Sequence, residues 1–378
     1  MKTLLTIVII VLCPMLCTSQ ERTPFYIGHS LVNFNMPAMV HGLALNAGKT
    51  THYDCQIANG SPLHINYNDF AGAQGTPYTT AFPDGNYNSL IITEAVPLQP
   101  HLTWSDTYLY ANNFYTYAKD HNNGNPLKFY IYETWHCKNS GIPQPSFPTG
   151  CDWDNTANST TLWHPRLLAD FPLWSGIVTH VRNQNPTENQ IWMVPAGQAF
   201  YNLTSEINAG NIPGITTYAD LFIDDIHLTN SGNYFVACVM YATIYGESPV
   251  GLSQNINDMW GVPFTSMPTV DQALAMQQIA WNTVTTLSSW TGVNTTAIPE
   301  KNTIETIVVY PNPSNDLLTI QLTQFNGNQT IQICNSIGQL IKEFEINNST
   351  TISVSNLDPG VYFIKNINQS ESIKFIKE

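Results

Sequence analysis

The hydrophobic pattern changes period once along the chain, and that change limits the fold more than any other feature. Up to about residue 290, short apolar runs alternate with segments of helical periodicity. Strands are expected over 25–28, 53–58, 89–93, 129–132 and 191–195, and helices over 35–46, 105–121, 166–183, 231–245 and 270–287. Right-handed crossovers then produce a parallel sheet with helices on both faces, a three-layer α/β/α sandwich that binds ligands at the carboxyl ends of its strands. From residue 306 onward the period is two, as in Leu318, Ile320 and Leu322, then Ile331 and Ile333, with Asn, Gly and Pro turns between the runs. Such a segment builds a small all-β sandwich of about seven strands. The polar, Thr-rich stretch 291–305 is expected to be a linker.

Residues 1–19 have one basic residue, Lys2, then an apolar run over 4–12 and small residues at Cys17, Thr18 and Ser19. That arrangement is a secretory signal peptide, which leaves 20–290 as the main domain. The run is too short to span a bilayer, and no later stretch has ~20 consecutive apolar residues, so no transmembrane segment is expected. Acylation at Cys17 is disfavoured because Pro14, Met15 and Leu16 precede it. Export permits disulfides among Cys55, Cys137, Cys151, Cys238 and Cys334. Cys137 and Cys151 bracket a loop rich in Pro, Gly and Ser and are the expected pair; Cys238, in an apolar run, is expected to be a buried thiol.

Charge excludes one class of partner. Thirteen Lys and Arg against 27 Asp and Glu give a net charge of -14, so the basic footprint of a nucleic-acid binder is absent. With 43% hydrophobic residues the chain has enough apolar material to fold. No phosphate loop or dinucleotide fingerprint occurs, and no cofactor is expected. The histidines lack metal-site spacing, and Asp152-x-Asp154-Asn155 lacks the Gly and Glu of a calcium loop, so no metal is expected either.

Two segments carry candidate chemistry. Ser30 ends the first strand in Gly28-His29-Ser30-Leu31, ahead of a helix with Met36, Met39, Val40 and Leu43 on one face. A serine there has backbone N–H groups and a helix amino end nearby to steady an oxyanion, although a turn or cap residue would look the same. The second segment contains Asp224-Asp225-Ile226-His227. An Asp three residues before a His can hold its Nδ1–H while Nε2 faces a nucleophile. Asp225 has the wrong spacing and is expected to be an exposed loop acid.

These motifs, with Gly232-x-Tyr234, resemble the SGNH or GDSL hydrolase superfamily over roughly residues 24–246. The resemblance implies Ser30 as nucleophile, His227 as general base and Asp224 as its orienter. It also implies an oxyanion hole formed by the N–H groups of Ser30 and Gly60. The chain departs from the family twice. His29 replaces the usual Asp before the nucleophile, and the family's Gly-x-Asn-Asp after the third strand is missing, with Glu94 in that region. Glu94 is left to line the site, bind a sugar hydroxyl or position a loop.

Glu133, Trp135 and His136 follow a strand expected to end on the same rim and lead into a loop region with Phe147, Trp153, Trp163 and His164. Aromatic faces beside carboxylates hold sugar rings, so these residues are substrate-binding candidates, Trp135 first, unless they pack the loop on the body. The activity expected is hydrolysis of esters, O-acetyl groups on a polysaccharide or oligosaccharide foremost. A lipase or thioesterase, which would need a continuous apolar lining, and a glycan-binding protein with a decayed site are the alternatives.

The C-terminal segment resembles the type A sorting domain of the bacterial type IX secretion system. The resemblance rests on Tyr310-Pro311-Asn312-Pro313, Ile337-Gly338-Gln339-Leu340, Leu357-Asp358-Pro359-Gly360-Val361-Tyr362 and Lys374-Phe375-Ile376-Lys377. It implies contact with the secretion machinery, outer-membrane export, removal of this domain, and release or surface attachment of the remainder.

Overall fold

The computed structural model describes residues 22–378 apart from 69, 86, 143–158, 295–305, 324–326, 337 and 368–371. The signal peptide, Cys151, the Asp152–Asn155 cluster, Phe147 and Trp153 lie outside the described residues. The chain divides into two compact units, Met1–Asn294 and Thr295–Glu378.

The first unit runs β1 (Pro24–Gly28), α1 (Asn35–Asn46), β2 (Asp54–Ile57), α2 (Leu63–Asn68), β3 (Gln74–Gly75), α3 (Tyr78–Asp84), β4 (Ser89–Ile92), α4 (Leu98–Trp104) and α5 (Thr107–His121). It continues with β5 (Lys128–Glu133), α6 (Trp163–Gln184), β6 (Ile191–Pro195), α7 (Ala196–Asn208), α8 (Asn230–Tyr245), α9 (Val270–Thr286) and α10 (Ser288–Thr291). The strands form one sheet in the order β3-β2-β1-β4-β5-β6.

Alternate residues of each central strand enter opposite cores, as period-two geometry requires. Phe25, Ile27, Leu90, Ile92, Phe129 and Ile131 pack with residues of α3, α5 and α6. Tyr26, Ile91, Tyr130, Tyr132 and Val194 pack with residues of α1, α7, α8 and α9. Burial on both faces is why these strands read as continuous apolar runs instead of alternating ones.

The expected all-parallel sheet needs correction: it is mixed, because β3 pairs antiparallel with β2. Gly75 permits the return. Its φ is +87°, and a Cβ there would sit 2.0 Å from the Cys55 carbonyl oxygen, so only glycine allows this approach. Two other expectations shift. The helix expected over 105–121 starts at Thr107, after Asp106 at φ +47°, and α7, which the sequence reading does not include, starts directly after β6 with no spacer to signal it. The first unit also runs past residue 290, with Thr291 and Val293 buried in it.

Strand order reverses between β1 and β4, since β2 lies on one side of β1 and β4 on the other. A crevice opens at the carboxyl ends of strands where connections diverge in this way. The residues immediately after β1 and β4 include Ser30 and Glu94.

The second unit is all antiparallel in its ladders. It comprises β7 (Thr306–Tyr310), β8 (Leu317–Thr323), β9 (Gln329–Asn335), β10 (Leu340–Ile346), β11 (Ser349–Ser353), β12 (Gly360–Asn366) and β13 (Ser372–Lys377). They make sheets β10-β9-β12-β13 and β11-β8-β7. Leu318, Ile320 and Leu322 from one sheet share a core with Ile331, Ile333, Ile364 and Phe375 from the other.

Candidate active site

The turn after β1 is tight because Gly28 lacks a side chain: a Cβ there would meet Val32 Cγ2 at 2.5 Å. His29 is buried and spans the turn. Its Nδ1 accepts the Leu31 N–H at 3.3 Å, so Nε2 carries the proton and donates to the Glu94 carbonyl at 3.0 Å. Burial lowers the His29 pKa to about 4, and the ring is neutral. Helix α1 begins at Asn35, where the sequence places it, one turn beyond Ser30.

Ser30 Oγ lies 2.9 Å from His227 Nε2, and His227 Nδ1 lies 2.7 Å from Asp224 Oδ2. The other Asp224 oxygen accepts the backbone N–H of His227 at 2.7 Å and of Ile226 at 2.8 Å. Partial burial pushes the Asp224 carboxyl up, but these three bonds outweigh it and hold the group below the usual carboxylate range. With Nδ1–H donated to a carboxylate, Nε2 is an acceptor and the Ser30 hydroxyl is its donor.

The loop carrying His227 is pinned at several points. Ile223 N donates to the His227 carbonyl at 2.9 Å, and Trp135 Nε1 donates to the Ile226 carbonyl at 2.8 Å. Lys138 N donates to the Asp225 carbonyl at 2.8 Å, and Asn139 N to Asp225 Oδ1 at 3.0 Å. Asp225 is therefore a half-buried anchor for the 137–142 loop and not the exposed acid expected. Cys137 in that loop is disulfide-bonded. Cys238 is a buried free thiol, as are Cys55 and Cys334.

The four substrate-binding candidates are all buried, which the sequence does not imply. Trp135 is 2% exposed, packs edge-to-face with Phe200 and has its N–H bonded, and the little surface it keeps lines a cleft beside Ser30 and His227. Glu133 is buried and accepts Gln198 N at 3.2 Å and Gln198 Nε2 at 2.9 Å; burial pushes its carboxyl up to about 8. His136 is buried, with its carbonyl accepting Trp163 Nε1 at 2.8 Å. Glu94, also buried, accepts Leu63 N at 3.0 Å and Ala95 N at 2.7 Å. Of the three roles open to Glu94, loop positioning is the one its partners describe. The physical reason is shared: distant segments close over them, α7 through Gln198 on Glu133, α2 through Leu63 on Glu94, α6 through Trp163 on His136 and the His227 loop through Ile226 on Trp135.

Two clefts meet at Ser30, Leu31 and His227. One, about 410 Å³, is lined mainly by apolar groups and includes Gly60, at φ +70°, and Trp104. The other, about 420 Å³, mixes amides and hydroxyls with apolar groups that include Val32, Trp135, Ile223 and Leu228. Trp104 is 77% exposed and was not evident from sequence, although its position after β4 put it on the correct rim. Asn66 is fully buried and donates to the Gly28 carbonyl at 3.4 Å, which makes it a brace for the turn. Among the described residues no group of His, Cys, Asp and Glu is arranged to hold a metal, and no helix is long and apolar enough to cross a membrane.

Comparison with curated proteins finds no match. Among solved structures, a DUF4886 family protein from Bacteroides uniformis ATCC 8492 is similar at 13% identity and a TM-score of 0.47, over 69% of this chain and 94% of that one. Residues 308–378 match the family described as a secretion system C-terminal sorting domain. The chain thus ends in a type IX sorting domain, and the protein is exported to the cell surface or secreted.

Proposed function

We propose that the first unit is an SGNH-type serine hydrolase that cleaves ester bonds in an acylated glycan outside the cell. The observation that carries this reading is the continuous line Ser30 Oγ, His227 Nε2, His227 Nδ1, Asp224 Oδ2, with spacings of 2.9 and 2.7 Å at the open end of the sheet.

In this mechanism Ser30 Oγ attacks the ester carbonyl carbon as its proton passes to His227 Nε2. Asp224 fixes the tautomer and stabilises the imidazolium. The N–H groups of Ser30 and Gly60 receive the developing oxyanion. Collapse breaks the bond to the alcohol oxygen, which takes the proton from Nε2, and leaves an acyl-serine. Water then attacks that ester, His227 again accepting a proton and returning it to Ser30, so one ester and one water give one acid and one alcohol. A glycan-binding protein with a decayed site would have no need to keep the relay bonded.

The test is labelling with a serine-reactive phosphonate, combined with acid release from esterified polysaccharides and short aryl esters. Labelled Ser30, together with turnover that Ser30→Ala and His227→Ala abolish, is the expected result. A label at another residue, or turnover that survives Ser30→Ala, refutes the mechanism.

A further inference from the structure

We infer that the two clefts meeting at Ser30 divide the substrate, the apolar one receiving an acyl group larger than acetyl and the amide-lined one a hydroxyl-bearing alcohol. This inference rests on the ester-hydrolase reading and adds to it which part of the ester lies on which side.

The two linings differ in chemistry. Val96, Pro97, Pro100, Trp104 and Ile226 give the first cleft walls without side-chain hydrogen-bonding groups apart from the Trp104 N–H. Two of its polar residues are already engaged: His29 with Leu31 N and the Glu94 carbonyl, and His101 Nδ1 with Ser105 Oγ at 2.7 Å. A sugar entering there would lose water from its hydroxyls and find few replacements. An apolar acyl chain loses nothing and covers an indole that is 77% exposed. Acetyl would occupy only a small part of 410 Å³, a volume in the range of sites for larger ligands.

The second cleft offers Asn33, Asn35, Thr229, Asn230, Asn233 and Ser266. Thr229 is engaged with Leu221 and Gly232, and one amide group each of Asn33, Asn230 and Asn233 is bonded to backbone; the other amide groups, with Asn35 and Ser266, supply both donors and acceptors, which suits a polyol. Asn33 and Ser266 also hold left-handed backbone, at φ +47° and +53°.

The direction of binding follows from Gly60, which lines only the apolar cleft. An ester's carbonyl oxygen belongs to its acyl half, so the cleft holding the oxyanion donors is where the acyl group begins. His227 lines both clefts and reaches the leaving oxygen at their junction.

The experiment measures kcat/KM for acetyl, butanoyl, hexanoyl and benzoyl esters of one sugar, and for the matching methyl esters, with the full chain and two variants. A fully buried methylene is worth roughly fourfold, and in an open cleft hexanoyl should exceed acetyl by on the order of tenfold. Trp104→Ala should narrow that ratio several-fold. Asn33→Gly, which keeps the left-handed backbone, should lower the ratio of sugar ester to methyl ester. Preference for acetyl, or equal losses across the acyl series in Trp104→Ala, overturns the inference while leaving the hydrolase reading in place. Absence of turnover on every ester, with no phosphonate label on Ser30, overturns the hydrolase reading itself.

Discussion

Replacing Glu94 with Gln should make the protein more stable at neutral pH and remove part of its pH dependence. Glu94 Oε1 accepts two backbone N–H groups, from Leu63 and Ala95, while Oε2 lies 2.8 Å from Thr107 Oγ1. Thr107 Oγ1 is also 2.7 Å from the His101 carbonyl, and a threonine has one proton to give. If Glu94 is ionised, that proton must serve two acceptors. If Glu94 is protonated, it donates to Thr107, which donates to His101, and the chain of bonds is complete. Burial, opposed by the bonds from Ala95, Thr107 and Leu63, raises the Glu94 pKa from 4.5 to about 7. The folded pKa is above the unfolded one, so this contribution is fully present below pH 4.5 and is lost as pH rises to about 7. The shift corresponds to about 3 kcal/mol. Gln places an N–H where Oε2 stands and donates to Thr107 at every pH. The melting temperature of Glu94→Gln minus that of the parent should therefore rise by roughly 5–10 °C between pH 4.5 and 8. Any cost of the amide that does not depend on pH cancels in this difference. A difference that stays level with pH, or falls, refutes the assignment of the raised pKa to Glu94.

Other outcomes follow from the same geometry. Asp224→Asn should lower turnover on the order of 10,000-fold, as loss of the orienting Asp does in serine triads, whereas Asp225→Ala should cost far less; steady-state kinetics on an aryl ester compares them. Trp135→Phe removes the bond to the Ile226 carbonyl, worth about 1 kcal/mol, and should reduce turnover of polymeric and small esters equally, because the bond holds the His227 loop while Phe keeps an aromatic ring in the cleft wall. Stopping the chain after Asn294 should leave a folded, active hydrolase that is not exported, checked by melting, by activity of the purified unit and by its location in cells.

What was legible in the sequence was what local spacing determines. Asp224 and His227 lie three residues apart, so one loop brings them together, and Ser30 follows a strand whose end is marked by Gly28 and the helical pattern after it. The alternation of strands and helices, and the antiparallel pattern beyond residue 306, were readable for the same reason. What failed depends on partners distant in the chain. Trp135 is turned inward by a carbonyl 91 residues away, and Glu133 by Gln198, 65 residues away. Gly197 leaves room for that carboxylate, since a Cβ there would sit 2.9 Å from Glu133 Cδ. No periodicity in 128–136 carries this information. Trp104 was missed for the opposite reason, because exposure is a property of what does not cover a residue.

The two departures from the SGNH pattern, His29 and Glu94, form one connected change. His29 Nε2 donates to the backbone carbonyl of Glu94, while the Glu94 side chain binds the N–H groups of Ala95 and Leu63. Three loops are thereby tied to one buried pair of residues: the Ser30 turn, the segment after Gly60, and the chain leading to Trp104. The arrangement also restricts the chemistry. His29 Nε2 donates to the Glu94 carbonyl, the Glu94 carboxyl takes the Ala95 N–H, and Asn66 is fully buried and lines neither cleft, so none of these three serves an oxyanion. Under the proposed mechanism the negative charge falls to the backbone N–H groups of Ser30 and Gly60. A hole of two backbone donors depends on loop position more than one that includes a side chain, because neither donor can adjust by rotation. Rigid anchoring of those loops through His29 and Glu94 is the structural counterpart of that dependence.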